Sequence, residues 1–475
     1  MTHIAEMWKT KRLAIPNWNY MTTLEWDCSA IFAIPIFGIT HNIFLSVGLS
    51  NVLLTILFLY SVYFVCLRKR PEYFLLASNI LLIPYSLGML DYYNMMFFGV
   101  AQYIVKVTVP ILLVGILHFS EMISSDATRI EKRLALISII IYFLYLLCTS
   151  MSSGIYVGLT GFVPVIIGYV IKCSLRKAKS SNHSLLIILG SIITVIIGIK
   201  VNKNILGGTR ADSMTLASVW DIKDNVGSNF FGIFELTGAL SRENGTEVLS
   251  IPGVAILSKL FLTLILIVCA LIMLSKLFKN ELPFEQSILT VVFFFNLFIM
   301  LFSVTTAGSS TTEYRYHLMG IVPLMIASSG FILDRVYENT KDKLNSFEIY
   351  IIAIVAMVAA LAYYGVFNWE KTTEFESLSD VLKQTDCDCV YVFSAPPNAE
   401  MLNALDVSKP YVCLMDTGET YAYDFYGEYS LGQVETENTI MITDSSEQLG
   451  DEFTLKDLQF TKYDSVDGWG LYYIE

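Results

Sequence analysis

Residues 43–70 read IFLSVGLSNVLLTILFLYSVYFVCLRKR, a run free of charged side chains until Arg68-Lys69-Arg70 closes it. At about 1.5 Å per helical residue, the apolar part is long enough to cross the roughly 30 Å hydrocarbon layer of a bilayer. Lys and Arg at a span end favour the cytoplasmic side. The pattern repeats along the chain. Further basic clusters stand at Arg129/Lys132/Arg133, Lys172/Arg176/Lys177/Lys179, Lys276/Lys279 and Arg335/Lys341/Lys343, with two apolar stretches between each pair of neighbours. The five clusters hold fifteen Lys or Arg, whereas the short connections 91–95, 151–154 and 306–316 hold one, Arg315. Such alternation predicts a polytopic α-helical membrane protein of about ten spans, near 43–67, 73–90, 96–119, 134–150, 155–171, 184–200, 254–275, 288–305, 317–333 and 347–366. It also predicts that both termini and Arg315 lie on the extracytoplasmic side.

Composition points the same way. Hydrophobic residues make up 54% of the chain and charged residues 16%, too apolar for a soluble protein of this length. The net charge of −12 is unevenly divided. Residues 367–475 hold five Lys, no Arg and twenty-two Asp or Glu, a balance of −17, which leaves +5 for the rest. An acidic tail of this kind is solvated and repelled by nucleic acid, so a nucleic-acid partner is excluded. The eight cysteines show no metal-ligand spacing. Cys66, Cys148, Cys173 and Cys269 lie in or beside apolar runs and read as small apolar side chains. For Cys387, Cys389 and Cys413 two alternatives stand: a Cys389–Cys413 bridge between neighbouring strands, or three free thiols, which the odd count favours.

Three regions follow. Residues 1–42 read as an extracytoplasmic loop and an interfacial helix, because the apolar stretch 28–40 is too short to span and contains Pro35. Either residues 24–40 form a thin first span, or a span upstream of Met1 is missing from the chain. Residues 43–366 form the transmembrane domain, with one long outer loop at 201–253. Within that loop Val219, Ile222, Val226, Phe230, Phe231 and Phe234 share a helical face, suited to a helix in the interface or a cap over neighbouring helix ends. Residues 367–475 form a small extracytoplasmic acidic α/β domain. Its expected elements are a helix over 376–384, strands at 389–393, 411–415 and 439–443, a helix opened by Pro396-Pro397, and a hairpin turning at Asp467-Gly468. It carries no Gly-rich phosphate loop and no catalytic triad, so a lid or recognition role is expected.

The outer side collects the residues able to do chemistry. Trp18-Asn19-Tyr20 and Glu25-Trp26-Asp27 stand near the N-terminus, Asp91-Tyr92-Tyr93-Asn94 follows the second span, and Glu313-Tyr314-Arg315-Tyr316-His317 enters the ninth. Interfacial Tyr and Trp commonly serve as anchors. Arg315 breaks the charge rule beside Tyr and His, and a guanidinium there can hold a phosphate through two parallel hydrogen bonds; a salt bridge to Glu313 or to the acidic tail is the alternative. Lys106 lies inside an apolar run, where a bare charge costs several kcal/mol, so it should pair with an acid or line a cavity. Lys259, near the end of its span, can snorkel.

Trp18-Asn19-Tyr20, the short apolar helix, the long outer loop, Glu313-Tyr314-Arg315-Tyr316-His317-Leu318-Met319-Gly320 at a span start and the outer α/β domain together resemble the C-type membrane glycosyltransferases. The likeness is greatest to bacterial relatives of the dolichyl-phosphate-mannose protein mannosyltransferases. The resemblance implies transfer of a sugar from a polyprenyl-phosphate donor to a glycan or protein acceptor of the cell envelope, on the outer face of a bacterial cytoplasmic membrane. It implies that Arg315, with Tyr316, His317 and Glu313, contacts the donor phosphate. It also implies an acidic base or metal ligand close behind a first span, so a divalent metal is a candidate cofactor. No residue of the chain stands at that acidic position. The first span and the base are therefore expected upstream of Met1, with the chain beginning after them. Glu6, Glu25 and Asp27 are the acidic residues left in that segment, and Asp27, with Glu25 beside it, is the candidate substitute. Rival readings are an O-antigen-type polymerase or ligase, against which the tail domain counts, and a flippase or transporter, against which the lack of an internal repeat counts.

Overall fold

The computed structural model describes residues 2–15, 20, 23–85, 92–177, 180–206, 215–240, 247–304, 314–339, 351, 354–359, 373–406, 408–420, 434 and 436–474. In chain order its first elements are α1 (Thr2–Thr10), α2 (Ser29–Thr40), α3 (Ile43–Val65), α4 (Pro71–Leu81), α5 (Tyr92–Met96) and α6 (Ile104–His118), which a π-turn extends over Phe119–Ile123. Then come α7 (Arg129–Ser153), α8 (Val163–Arg176) behind a π-turn at Gly158–Phe162, α9 (Asn182–Leu206), β1 (Thr215–Leu216), α10 (Val219–Leu236), α11 (Ile251–Phe278), α12 (Phe284–Phe302) and β2 (Ser303–Val304). A 3₁₀ turn at Tyr314–His317 leads into α13 (Leu318–Asn339). The chain divides into two compact units, one of residues 22–29 and 51–369, the other of residues 1–21, 30–50 and 370–475.

Among the described residues, eight helices are long and apolar enough to cross a membrane: α3, α6, α7, α8, α9, α11, α12 and α13, taken with the short turns that extend them. Burial sorts them. The apolar windows of α6, α12 and α13 are 83%, 72% and 89% buried, whereas those of α9, α11 and α3 are 22%, 28% and 33% buried. Three central helices are therefore mostly covered, and outer helices expose Leu186, Leu189 and Ile196, Phe261 and Leu271, and Val52 and Ile56. Apolar surface of that extent is stable against lipid and not against water.

Of the expected span 73–90, the described residues 73–85 contain most of α4, which ends at Leu81 with Leu82 donating back to Ser78, just ahead of Pro84, while residues 86–90 lie outside the described residues. Its apolar residues Tyr73, Leu76, Ile80 and Leu81 are buried in protein, and Tyr85 and Tyr92 beyond them are fully buried. The expected span 347–366 lies outside the described residues except for 351 and 354–359, which are helical.

One end of the helical unit joins the basic connections. Arg68 binds Asp126 at 3.0 Å and Glu131 at 2.7 Å. Lys69 pairs with Glu285 at 3.0 Å, and Lys172 donates to Asn280 and to the Leu282 carbonyl. Glu121 accepts from Tyr169, Ser184 and the Ser181 N–H. Connections that the charge pattern assigns to a single side are thus bonded to one another.

In the other unit, the C-terminal residues form α14 (Thr373–Gln384), β3 (Cys389–Val392), α15 (Pro396–Leu405), β4 (Tyr411–Cys413), β5 (Thr439–Thr443), α16 (Ser446–Leu449), β6 (Glu452–Leu455), β7 (Leu458–Val466) and β8 (Trp469–Ile474). The sheet runs β4-β3-β5-β8-β7-β6, with β4, β3 and β5 parallel and the rest antiparallel. Both faces are buried. Val390, Val392, Cys413, Ile440, Ile442 and Leu471 pack with α14 and α15, while Cys389, Tyr391, Val412, Met441 and Tyr472 form the opposite layer. Cys389 and Cys413 thus lie on opposite faces, which rules out the bridge between them, and neither they nor Cys387 form a disulfide. At the N-terminus, Gly38 of α2 lies against the Trp8 ring of α1, where an added Cβ would come within 2.3 Å.

Candidate functional site

The site grows from a tight turn before α2. Glu25 adopts φ +57°, and its carbonyl accepts from Cys28 Sγ. The turn aims Asp27 into the helical unit, where its side chain is 1% exposed. Ser152 Oγ donates to Oδ1 at 2.8 Å, Ser153 Oγ to Oδ2 at 2.7 Å, and Lys106 Nζ lies 3.2 Å from Oδ2. Backbone bonds hold the partners in place: Leu24 N–H donates to the Ser152 carbonyl, Trp26 N–H to Ser152 Oγ, and Asn202 Nδ2 to the Met151 and Ser152 carbonyls. Lys106, 8% exposed, also donates to the Gln102 carbonyl one turn back. Lys106, which the sequence showed as a charge inside an apolar run, therefore meets an acidic partner in Asp27, which makes burial of both tolerable.

An aromatic arc runs from this pair to Arg315. Lys106 Nζ lies 5.2 Å from the Tyr103 ring centre, Tyr103 meets Tyr156 edge-on at 6.4 Å, and Tyr156 meets Tyr316 at 6.0 Å. The Arg315 guanidinium lies 5.5 Å over Tyr316 and within electrostatic range of the Tyr103 and Tyr156 hydroxyls. Both cations are within the roughly 6 Å at which a ring face attracts positive charge. The chain folds this way because α6 begins at Ile104, the last turn of α7 carries Ser152 and Ser153, the connection to α8 carries Tyr156, and the turn 314–317 leads into α13.

Of the sequence-predicted residues, Asp27, Arg315 and Tyr316 belong to this arc. Glu25 contributes its backbone turn and is half-buried. His317 is buried on another side, against Gly232 of α10, where an added Cβ would lie 3.3 Å from Nε2. Glu313, Asp91, Trp18 and Asn19 lie outside the described residues; Tyr20 accepts from the Ile15 N–H and faces His3. Met1 also lies outside them, and with it the expectation of a base upstream of Met1; within the described residues the carboxylate that reaches the arc is Asp27. Sequence reading missed Tyr103, Tyr156, Ser152 and Ser153. Tyr103 stands three residues before Lys106, and Ser152-Ser153 ends an apolar run, so helical spacing around the anomalous Lys was the available signal.

A second buried charged group lies at the basic end of α6, α12 and α13. Glu285 meets Lys69 and, at 3.7 Å, His118 Nε2; Asp334 accepts from Gln286 at 2.7 Å and from the Tyr73 hydroxyl. Lys69, Tyr73, Glu285 and Gln286 border a cavity of about 20 Å³, room for one water. Among the described residues, no three His, Cys, Asp or Glu side chains converge as a metal shell.

Chemically, the arc offers a guanidinium fork and tyrosine hydroxyls toward an anion. The Asp27 carboxylate has both oxygens already engaged. No family model matches the chain, and no curated protein is found to match it.

Proposed function

We propose that the chain is a membrane glycosyltransferase that moves a sugar from a polyprenyl-phosphate donor to a cell-envelope acceptor on the extracytoplasmic face. One observation carries the reading: Arg315 and Lys106, on different elements, converge on a Tyr103–Tyr156–Tyr316 arc at the end of the helical unit opposite the basic loops. A lipid-borne phosphate keeps its charge at the membrane surface with its tail among apolar helices, and it needs a fixed cation and hydroxyl donors to stabilise it as it leaves the sugar. In this reading Arg315 binds the phosphate and the tyrosines orient it. Asp27 holds Lys106 in place, and it serves as base only if an acceptor hydroxyl displaces Ser152 or Ser153 from its oxygens.

Arg315→Lys and Arg315→Ala test the reading. Lys keeps the charge but loses the fork, so affinity for a polyprenyl-phosphate analogue should fall partly. Ala should lower it by roughly 1.5–3 kcal/mol, the worth of a charge-assisted bond. Unchanged binding with lowered thermal stability would make Arg315 a structural residue and end the assignment. The buried Glu285–Lys69–His118 group favours the rival transporter reading, since ionisable groups inside a bundle also mark ion paths; substrate flux in proteoliposomes without sugar transfer would select it.

A further inference from the structure

The surface of α10 is divided three ways. Asn225, Asn229, Gly232, Ile233 and Leu236 are buried against the helical unit, with Asn225 Nδ2 donating to the Leu301 and Ser303 carbonyls at the end of α12. Asp221, Asp224, Ser228 and Glu235 form a second strip, polar and acidic, by their 100° spacing. The third strip is apolar and, up to the buried Phe234 near its C-terminal end, uncovered: Val219 is 79% exposed, Trp220 76%, and Phe230 and Phe231 57% and 60%. It carries one charge, Lys223, whose long stem can lift the ammonium to the surface.

Depth comes from α11. The Thr263 hydroxyl donates to Thr237 Oγ1 at the C-cap of α10 at 2.9 Å. α11 is 28 residues, about 42 Å, longer than the roughly 30 Å hydrocarbon layer. Counting about twenty residues back from Lys276, which marks the basic end, puts the far hydrocarbon edge near residue 256. Thr263 then lies about 10 Å inside it, the depth at which an amphipathic surface helix buries its apolar face. On α11 itself Leu257, Phe261 and Leu264 are exposed, so this candidate membrane-spanning helix also presents uncovered apolar surface.

We infer that α10 is a membrane-surface helix whose Val219/Trp220/Phe230/Phe231 strip is seated in bilayer lipid, with its acidic strip turned to water. An aqueous partner would have to cover two phenylalanines and a tryptophan. Lipid covers them with no further contact, and like-charge repulsion from anionic headgroups keeps the acidic strip outward. Through Gly232 the seated helix braces His317 and Tyr314, and so holds the turn that bears Arg315. The inference does not depend on which reaction the chain performs.

Trp220 is a built-in probe. The full chain is placed in nanodiscs with brominated or ordinary acyl chains, and its fluorescence is compared with that of Trp220→Phe, a change on an exposed strip that leaves the fold intact. The component missing from the variant should be quenched by brominated lipid and spared by aqueous iodide. Asp224→Trp on the Trp220→Phe background should behave oppositely, quenched by iodide alone. Iodide quenching of the Trp220 component would place the strip in water. Protection from both quenchers would mean that protein covers it. Either result overturns the inference.

Discussion

Asp27 and Lys106 are 79 positions apart and meet at 3.2 Å with almost no exposure, so each is the condition for burying the other. Truncating one should cost more than deleting the pair. Lys106→Ala leaves a buried carboxylate with only two serine hydroxyls and should destabilise the protein by about 3–5 kcal/mol. Asp27→Asn with Lys106→Met, which removes both charges at similar volume, should recover most of that loss. Thermal unfolding in one detergent measures the cycle; additive losses would mean that the two do not interact. The sequence exposed Lys106 as a misplaced charge and Arg315 as a misplaced sign, because lipid penalises both. It could not show their partners. Pairing Asp27 with Ser152, Ser153 and Lys106 depends on how the turn before α2 meets the ends of α6 and α7, and pairing Glu285 with His118 and Lys69 likewise joins the ends of α12 and α6 to the connection after α3.

Helices were legible wherever a bilayer imposes their length. α3, α7, α9 and α11 match the expected spans within several residues, since each apolar run must satisfy its backbone internally. α4 shows the limit. Apolar sequence reports removal from water, and protein can do that as well as lipid. The tail strands were legible from β-branched and aromatic runs between turn residues, while β6 was missed because its exposed, polar alternation resembles a loop. α10 adds a testable cap. Ser218 Oγ accepts from the Asp221 N–H at 3.3 Å and Asp221 accepts from the Ser218 N–H at 2.8 Å, a reciprocal capping box. Ser218→Ala should cost about 1 kcal/mol of local helix stability, read as faster amide exchange over 219–223. The bonds from Ser218 hold the Asp221 carboxyl below its ordinary range. Its folded pKa is depressed, so this contribution is present at neutral pH and is lost as pH falls through the folded value, below about 3.8. Protection of the first turn of α10, measured relative to the exchange rate of an unstructured amide at each pH, should therefore fall on acidification in the wild type and depend less on pH in Ser218→Ala. Equal pH dependence in both would refute the cap.

Charge divides the molecule more sharply than any single element does. The chain before residue 367 carries +5 with its Lys and Arg gathered in five clusters, and the rest carries −17. The bonds Arg68–Glu131, Lys69–Glu285 and Lys172–Asn280 tie four of the basic connections into one end of the helical unit, while Asp27, Lys106 and Arg315 occupy the other. Lys and Arg in short connections resist translocation and Asp and Glu scarcely do, so the basic end should face the cytoplasm and the acidic C-terminal sheet the opposite side. Two exposed positions report this: Lys279 in the Lys276/Lys279 cluster, and Asp457 in the β6–β7 turn. An impermeant maleimide applied to intact cells should label Asp457→Cys above the wild-type background and reach Lys279→Cys only after the membrane is opened. The reverse pattern would invert the orientation and put Arg315 beyond the reach of an extracytoplasmic donor phosphate. Labelling of both in intact cells would break the alternation itself, because an odd number of crossings would no longer separate 279 from 457.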